Sequence, residues 1–189
     1  MRIIAGKLKG TNLYLAKNTN TRPLKDITRE SIFNLLIHSN KISFKFEKSN
    51  ILDLYSGTGS FGLECISRGA QKVFFVENEK EAIKTLEKNI NKLKIKKTTK
   101  IFSEEVFKLL ENKYINKINF DLIFCDPPFK MENVHKLIQL LFDSKLLIKT
   151  GIIILHRNKI IKEELPNFFE IIEERNYGIS KIIFGKFLT

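Results

Sequence analysis

The chain has 189 residues, 43% of them hydrophobic, enough for one ordinary domain with a core and too apolar for a disordered polymer. Its apolar runs, such as residues 151–155, are far too short to cross a bilayer, and the N-terminus lacks the features of a signal peptide, so a cytoplasmic location is expected. The net charge of +12 is uneven: residues 1–48 hold ten Lys and Arg against three acids, a net +7, which suits a phosphate-contacting face for nucleic acid.

Residues 2–5 and 12–15 read as short strands of a hairpin, joined by a basic, Gly-containing turn over residues 6–10. Residues 18–23 are polar loop. Residues 26–38 carry helical periodicity, with Asp26 as the N-cap, and residues 40–49 form a basic connector. From Asn50 the pattern turns regular. Strands are expected over residues 51–55, 72–76, 99–102, 120–125 and 152–156, and helices over 60–68, 80–93, 104–110, 134–147 and 159–165. The helix over 80–93 sets Ile83, Leu86, Ile90 and Leu93 on one face, and Pro166 ends the last helix. Residues 169–175 and 180–187 read as two closing strands about a turn at Tyr177-Gly178.

Strands alternating with helices imply right-handed crossovers and a parallel sheet. The two closing strands are too near in sequence for a helical crossover and should be antiparallel. The expected architecture is α/β and Rossmann-like: a seven-stranded, mostly parallel sheet with one reversed strand. Residues 49–189 would form that domain, and residues 1–48 a basic hairpin-and-helix extension. Cys65 and Cys125 lie in apolar segments and read as reduced, buried thiols. His38, His135 and His156 show no ligand spacing, so no metal is expected.

Asp53-Leu54-Tyr55-Ser56-Gly57-Thr58-Gly59-Ser60-Phe61-Gly62 holds a literal G-x-G-x-x-G after the first strand of the regular part. Glu77 lies 20 residues past Gly57, at the end of the next strand. Those facts alone fit a dinucleotide site. A carboxylate at Asp53, however, would repel a pyrophosphate and suit a cation. S-adenosylmethionine carries a sulfonium and an α-ammonium and no phosphate. Asp53, Tyr55, Gly57 and Gly59 are therefore assigned to that cofactor, the glycines allowing close backbone approach. Glu77 would accept hydrogen bonds from both ribose hydroxyls, with Asn78 beside it. Glu104, or equally Ser103, would face the adenine.

Asp126-Pro127-Pro128-Phe129 follows the strand over residues 120–125. In an open α/β sheet ligands bind at that edge. A carboxylate and a proline carbonyl can each accept an N–H of one NH2 group while the ring stacks on the base that carries it, worth about 1–3 kcal/mol. Nothing in a hydride-transfer site calls for that tetrapeptide. Its chemistry is methyl transfer to an exocyclic amine, with Asp126, Pro127, Pro128 and Phe129 as the candidate catalytic set. The target base must be unpaired or flipped out. By strand alternation Cys125 should point opposite to Asp126, into the core.

Residues Met1 through Gly10, Thr21-Arg22-Pro23 and Arg29-Glu30-Ser31-Ile32-Phe33-Asn34 resemble the N-terminal region of the RsmD-type 16S rRNA guanine-N2 methyltransferases. The resemblance continues through Leu52–Glu64, Ser67-Arg68-Gly69-Ala70, Phe75-Val76-Glu77 and Phe120–Phe129. It implies methylation of a guanine N2 in 16S rRNA, within the small subunit or an assembly intermediate, by a monomer using S-adenosylmethionine. It also implies that Arg22 and Arg29 lie near the substrate groove. Together with the charge asymmetry this assigns Arg2, Lys7, Lys9, Arg22, Lys25 and Arg29 to RNA. An adenine-N6 methyltransferase and an inactive RNA-binding assembly factor remain the alternatives.

Overall fold

The computed structural model describes residues 1–16, 24, 26–112 and 115–188. Helix α1 spans Asp26–His38. The alternating part then runs β1 Asn50–Leu54, α2 Ser60–Ser67, β2 Lys72–Val76, α3 Lys80–Leu93, β3 Thr99–Phe102, α4 Val106–Glu111, β4 Phe120–Cys125, α5 Val134–Asp143 and β5 Leu147–Asn158. Two further strands, β6 Phe169–Tyr177 and β7 Ser180–Phe187, close the chain. The sheet order is β3-β2-β1-β4-β5-β7-β6. Only β7 is reversed, antiparallel to both β5 and β6, as the short connection between the last two strands demands.

The strand order changes direction between β1 and β4, where Leu54 pairs with Cys125. That is the switch point at which open α/β sheets bind ligands. Alternation along the strands then sorts the side chains. Ile51, Val73, Phe75, Leu122, Phe124, Ile152 and Ile154 join the core on one face, against α1, α2 and α3. Leu52, Leu54, Phe74, Val76, Ile123, Cys125, Ile153 and Leu155 join the core on the other, against α4 and α5. Asp53, Glu77, Asp126 and His156 fall in the phase of the first face, and Arg157 in that of the second.

Several boundaries differ from expectation for local reasons. The N-terminal strands shrink to one antiparallel bridge, Arg2 to Asn12. The backbone N–H groups of Ile4 and Ala5 are taken instead by the buried Glu64 carboxylate of α2, at 2.7 and 2.9 Å. Asp26 is the first residue of α1 and accepts from Arg29 at 3.0 Å. The buried stripe of α3 runs through Ala82, Thr85, Leu86, Asn89, Ile90 and Leu93, leaving Ile83 half-buried. Helix α5 stops at Asp143, and β5 begins at Leu147 rather than residue 152.

The helix expected over residues 159–165 does not form. Asn158 Oδ1 accepts from Ile160 N, Ile160 is 80% exposed, and Glu163 is drawn to Arg157. Among the described residues, 1–48 form no separate core: Ile3, Leu13, Ile32, Phe33 and Phe46 pack with Ile51, Phe61 and Phe124. Phe61 stacks on Phe124 with centroids 4.0 Å apart and on Phe33 at 5.1 Å.

Candidate active site

The loop after β1 is shaped by its own backbone. Tyr55, Gly57 and Gly59 have φ of 58°, 53° and 84°, the left-handed region that costs a tyrosine roughly 1–2 kcal/mol and a glycine almost nothing. At Gly59 and Gly62 the absence of a side chain serves packing rather than close approach to a ligand. A Cβ on Gly59 would stand 2.4 Å from Leu86 Cδ1, and one on Gly62 2.4 Å from Phe75 Cε1. Gly57 alone faces open space.

The carboxylates bracket this loop. Asp53 is 1% exposed, and its Oδ2 accepts from Gly62 N at 2.9 Å. Its Oδ1 is buried with no partner among the described residues. Burial holds the Asp53 carboxyl well above the usual range, and Asp126 and Glu77 push it the same way. An unpaired buried carboxylate oxygen beside a left-handed loop suits a cationic ligand. Glu77 accepts from Gly57 N at 2.7 Å and from the Asn78 and Glu79 N–H groups at 2.9 Å each. It thus ties the end of β2 to the glycine loop. Asn78 is exposed at the rim. Glu104 is half-buried two residues past β3, and no carboxylate hydrogen bond is made among the described residues. Ser103 beside it is exposed.

The end of β4 stands directly across from this loop. Asp126 N donates to Leu54 O at 3.3 Å, so the two chain segments stay side by side beyond their strands. Pro127 is buried, Pro128 exposed and Phe129 half-buried. The two proline carbonyls are not equivalent. Pro128 O accepts from Arg157 Nη1 at 2.9 Å and from Met131 N at 2.8 Å. Pro127 O has no partner among the described residues. Tyr55 bridges the two loops, its hydroxyl donating to Met131 Sδ at 3.5 Å. Burial raises the Tyr55 phenol, so it stays protonated. Cys125 lies on the opposite face among Leu54 and Leu155, and burial raises its thiol too, which leaves no thiolate nucleophile.

Two residues of β5 complete the site without any sequence motif to mark them. His156 Nδ1 lies 2.7 Å from Asp126 Oδ1. Arg157 is fully buried on the other face. Besides Pro128 O it donates to Met131 O at 2.6 Å and to Glu163. The pairing of Cys125 with Leu155 sets both residues beside the tetrapeptide. The available signal was alternation just past the buried run Ile152–Leu155.

The basic set divides. Arg2, Lys7 and Lys9 are exposed. Arg22 and Lys25 lie outside the described residues. Arg29 is fully buried and does not face RNA: its guanidinium donates to Arg2 O at 2.6 Å and to Asp26. Burial also lowers its pKa, against the pull of Asp26. The segment it supports is strapped to α2, with Lys7 N on Ser67 O at 2.7 Å and Leu8 N on Ser67 Oγ at 3.0 Å. Among the described residues no three His, Cys, Asp or Glu are grouped to hold a metal, and no helix is long and apolar enough to cross a membrane.

A glycine loop after β1, an acid ending β2, a proline-fixed carboxylate after β4 and a reversed β7 together define the Rossmann-like class of S-adenosylmethionine-dependent methyltransferases. Within that class, the chain belongs to the conserved hypothetical protein 95 family, whose model matches residues 1–186, the RsmD-type family its sequence resembles. It is 32% identical over 179 residues to the ribosomal RNA small subunit methyltransferase D of Buchnera aphidicola subsp. Baizongia pistaciae, covering 93% of this chain and 86% of that one. It is 30% identical over 180 residues to the protein of the same name from Haemophilus influenzae, covering 95% and 90%. Among solved structures, a proposed methylase from Haemophilus influenzae superposes with a TM-score of 0.80 at 27% identity, covering 100% of this chain and 98% of that one.

Proposed function

We propose that the protein methylates the exocyclic N2 of a guanine in small-subunit ribosomal RNA, using S-adenosylmethionine. The observation that carries the reading is the pair of acceptors left at the switch point: Asp126, with one oxygen engaged by His156, and the unpartnered carbonyl of Pro127. The family and the relatives named for small-subunit rRNA methylation support the substrate class.

The cofactor would be held by Asp53, Tyr55, Gly57, Gly59, Glu77 and Asn78, with Glu104 or Ser103 toward its adenine. When bound, S-adenosylmethionine supplies an electrophilic methyl group on a cationic sulfur. The protein's part is placement. A guanine amine is a poor nucleophile because its lone pair is delocalised into the ring. Asp126 accepts one N–H and Pro127 O the other, which turns the lone pair out of conjugation. Phe129 stacks on the base, and Arg157 fixes the backbone that carries it. Holding the amine and its acceptors in line supplies most of the acceleration. No strong base is required, because the methylated amine loses its proton readily, and Cys125 takes no part. Residues 1–48 form the RNA-facing extension of the catalytic domain over 49–189, with Arg2, Lys7, Lys9, Arg22 and Lys25 toward phosphates.

Nucleoside mass spectrometry of small-subunit rRNA, with and without the protein, tests the base and the atom together. Loss of N2-methylguanosine is expected. Loss of N6-methyladenosine instead would overturn the guanine assignment, and no change in any methylated nucleoside would overturn methylation.

A further inference from the structure

Asp126 is locked from behind. His156 Nδ1 lies 2.7 Å from its Oδ1, and His156 Nε2 lies 2.8 Å from Ser180 Oγ at the start of β7. The His156 side chain is 7% exposed, and the Phe129 ring meets its imidazole edge-on, centroids 5.3 Å apart at 80°. An ionised carboxylate can only accept, so Nδ1 carries a proton. In the neutral ring Nε2 then accepts from the serine hydroxyl. That hydroxyl serves either charge state of the ring, because it both donates and accepts.

We propose that His156, itself held by Ser180, is a positioning residue that fixes the Asp126 carboxylate for the target amine, an inference that rests on the function proposed above. The hydrogen bond occupies Oδ1 and leaves Oδ2 as the acceptor for the base. It also sets the carboxylate plane. Pro127 fixes the backbone after Asp126 but leaves the side-chain torsions of a 23%-exposed carboxylate unconstrained. Two acceptors must bracket one amine at once, so a single rotamer change at Asp126 breaks the alignment. His156 prevents that change, and its own ring cannot turn without losing Ser180. Contact with Phe129 extends the same support to the ring that stacks on the base.

Substitutions that differ only in where an amide N–H sits distinguish positioning from packing. Asn carries its amide at the place of Nδ1, whereas Gln carries it out at the place of Nε2. His156→Gln and His156→Phe are expected to lower kcat about 10–100-fold, the loss of one charge-assisted hydrogen bond, with KM for the rRNA substrate little changed. His156→Asn should restore most of that rate, and Ser180→Ala should cost less than His156→Phe. Nitrogen-15 NMR of the imidazole gives a readout independent of turnover: the Nδ1–H resonance should be present, and should shift in Asp126→Ala. Equal activity of the Asn and Gln variants, a loss confined to KM, or an Nε2–H tautomer would overturn the proposal. Asp126→Ala separates the two levels. If it is inactive while His156→Phe turns over normally, positioning by His156 fails alone; if Asp126→Ala is fully active, the methyl-transfer reading fails with it.

Discussion

Replacing Arg157 by methionine keeps an unbranched but shorter stem and removes the guanidinium donors beneath the tetrapeptide loop. Arg157 is fully buried, and the side chain of Glu163 beside it is 7% exposed. Breaking such a pair from one side leaves a buried, uncompensated carboxylate, which costs about 3–5 kcal/mol. At about 2–4 °C per kcal/mol for a chain of this size, the midpoint should fall by about 6–20 °C. The double variant Arg157→Met/Glu163→Leu removes both charges, and an apolar replacement of both partners is often neutral. Met131 O and the more weakly held Phe129 O then lose their donor, at about 1–3 kcal/mol for the short bond to Met131 O, whereas Pro128 O keeps Met131 N at 2.8 Å. Stability should therefore return in part, by the cost of the unpaired Glu163 carboxylate, while the loop stays unheld. Urea unfolding gives both free energies, and methyl transfer to unmethylated small subunits, below all midpoints, gives the rates. The double variant should be more stable than the single one, and slow. Wild-type kcat in it would refute Arg157 as the support of the loop, and a loss under 1 kcal/mol in the single variant would refute the buried pair.

Glu77→Ala removes the acceptor of three backbone N–H groups and the acid assigned to the ribose. Calorimetry should show cofactor affinity reduced about 10–100-fold, and unchanged affinity would remove Glu77 from that role. The raised carboxyl of Asp53 gives a pH dependence of known sign. Folding favours its protonated form, so its contribution to stability is full below the ordinary value of 3.8 and is lost as pH rises through the folded value. A cationic cofactor favours the carboxylate, so binding should release a proton and tighten as pH rises. Calorimetry in buffers of different ionisation enthalpy, run across a pH series, reads this release, and it should vanish in Asp53→Asn; no release at any pH of the series would mean that Asp53 faces no cation. Charge reversal at the exposed Lys7 and Lys9 should weaken RNA binding and flatten the slope of log K against log salt by about 0.7–0.9 per lost phosphate contact. An unchanged slope would place the phosphate face elsewhere.

What could be read in advance was local. Asp53, Glu77 and Asp126 each lie at the carboxyl end of a strand whose run is buried on both faces, and glycines follow Asp53 and a proline follows Asp126 within a few residues. Such punctuation survives in one dimension. Other features depend on neighbours distant in sequence. Arg29 looks like a surface cation in isolation; Arg2 O and Asp26 make it a buried one. Gly59 and Gly62 match a ligand fingerprint, yet Leu86 and Phe75 explain why no side chain fits there. Residues 159–165 carry helical spacing, but Arg157 draws Glu163 in and Ile160 finds nothing to cover it.

The closing hairpin is the instructive case, because its sequence holds no motif and its topology matters to the site. β7 runs against β5, with Asn158 paired to Ser180 and His156 to Ile182. An antiparallel strand brings its beginning to the edge where parallel strands bring their ends. Ser180, first residue of β7, therefore arrives beside the last residues of β5 and completes the chain from Ser180 through His156 to Asp126. A parallel strand at that position would present its own last residues there, and its connection would have to cross the sheet first. The reversed strand that separates this fold from a plain dinucleotide-binding sheet thus also supplies the back support of the carboxylate at the switch point.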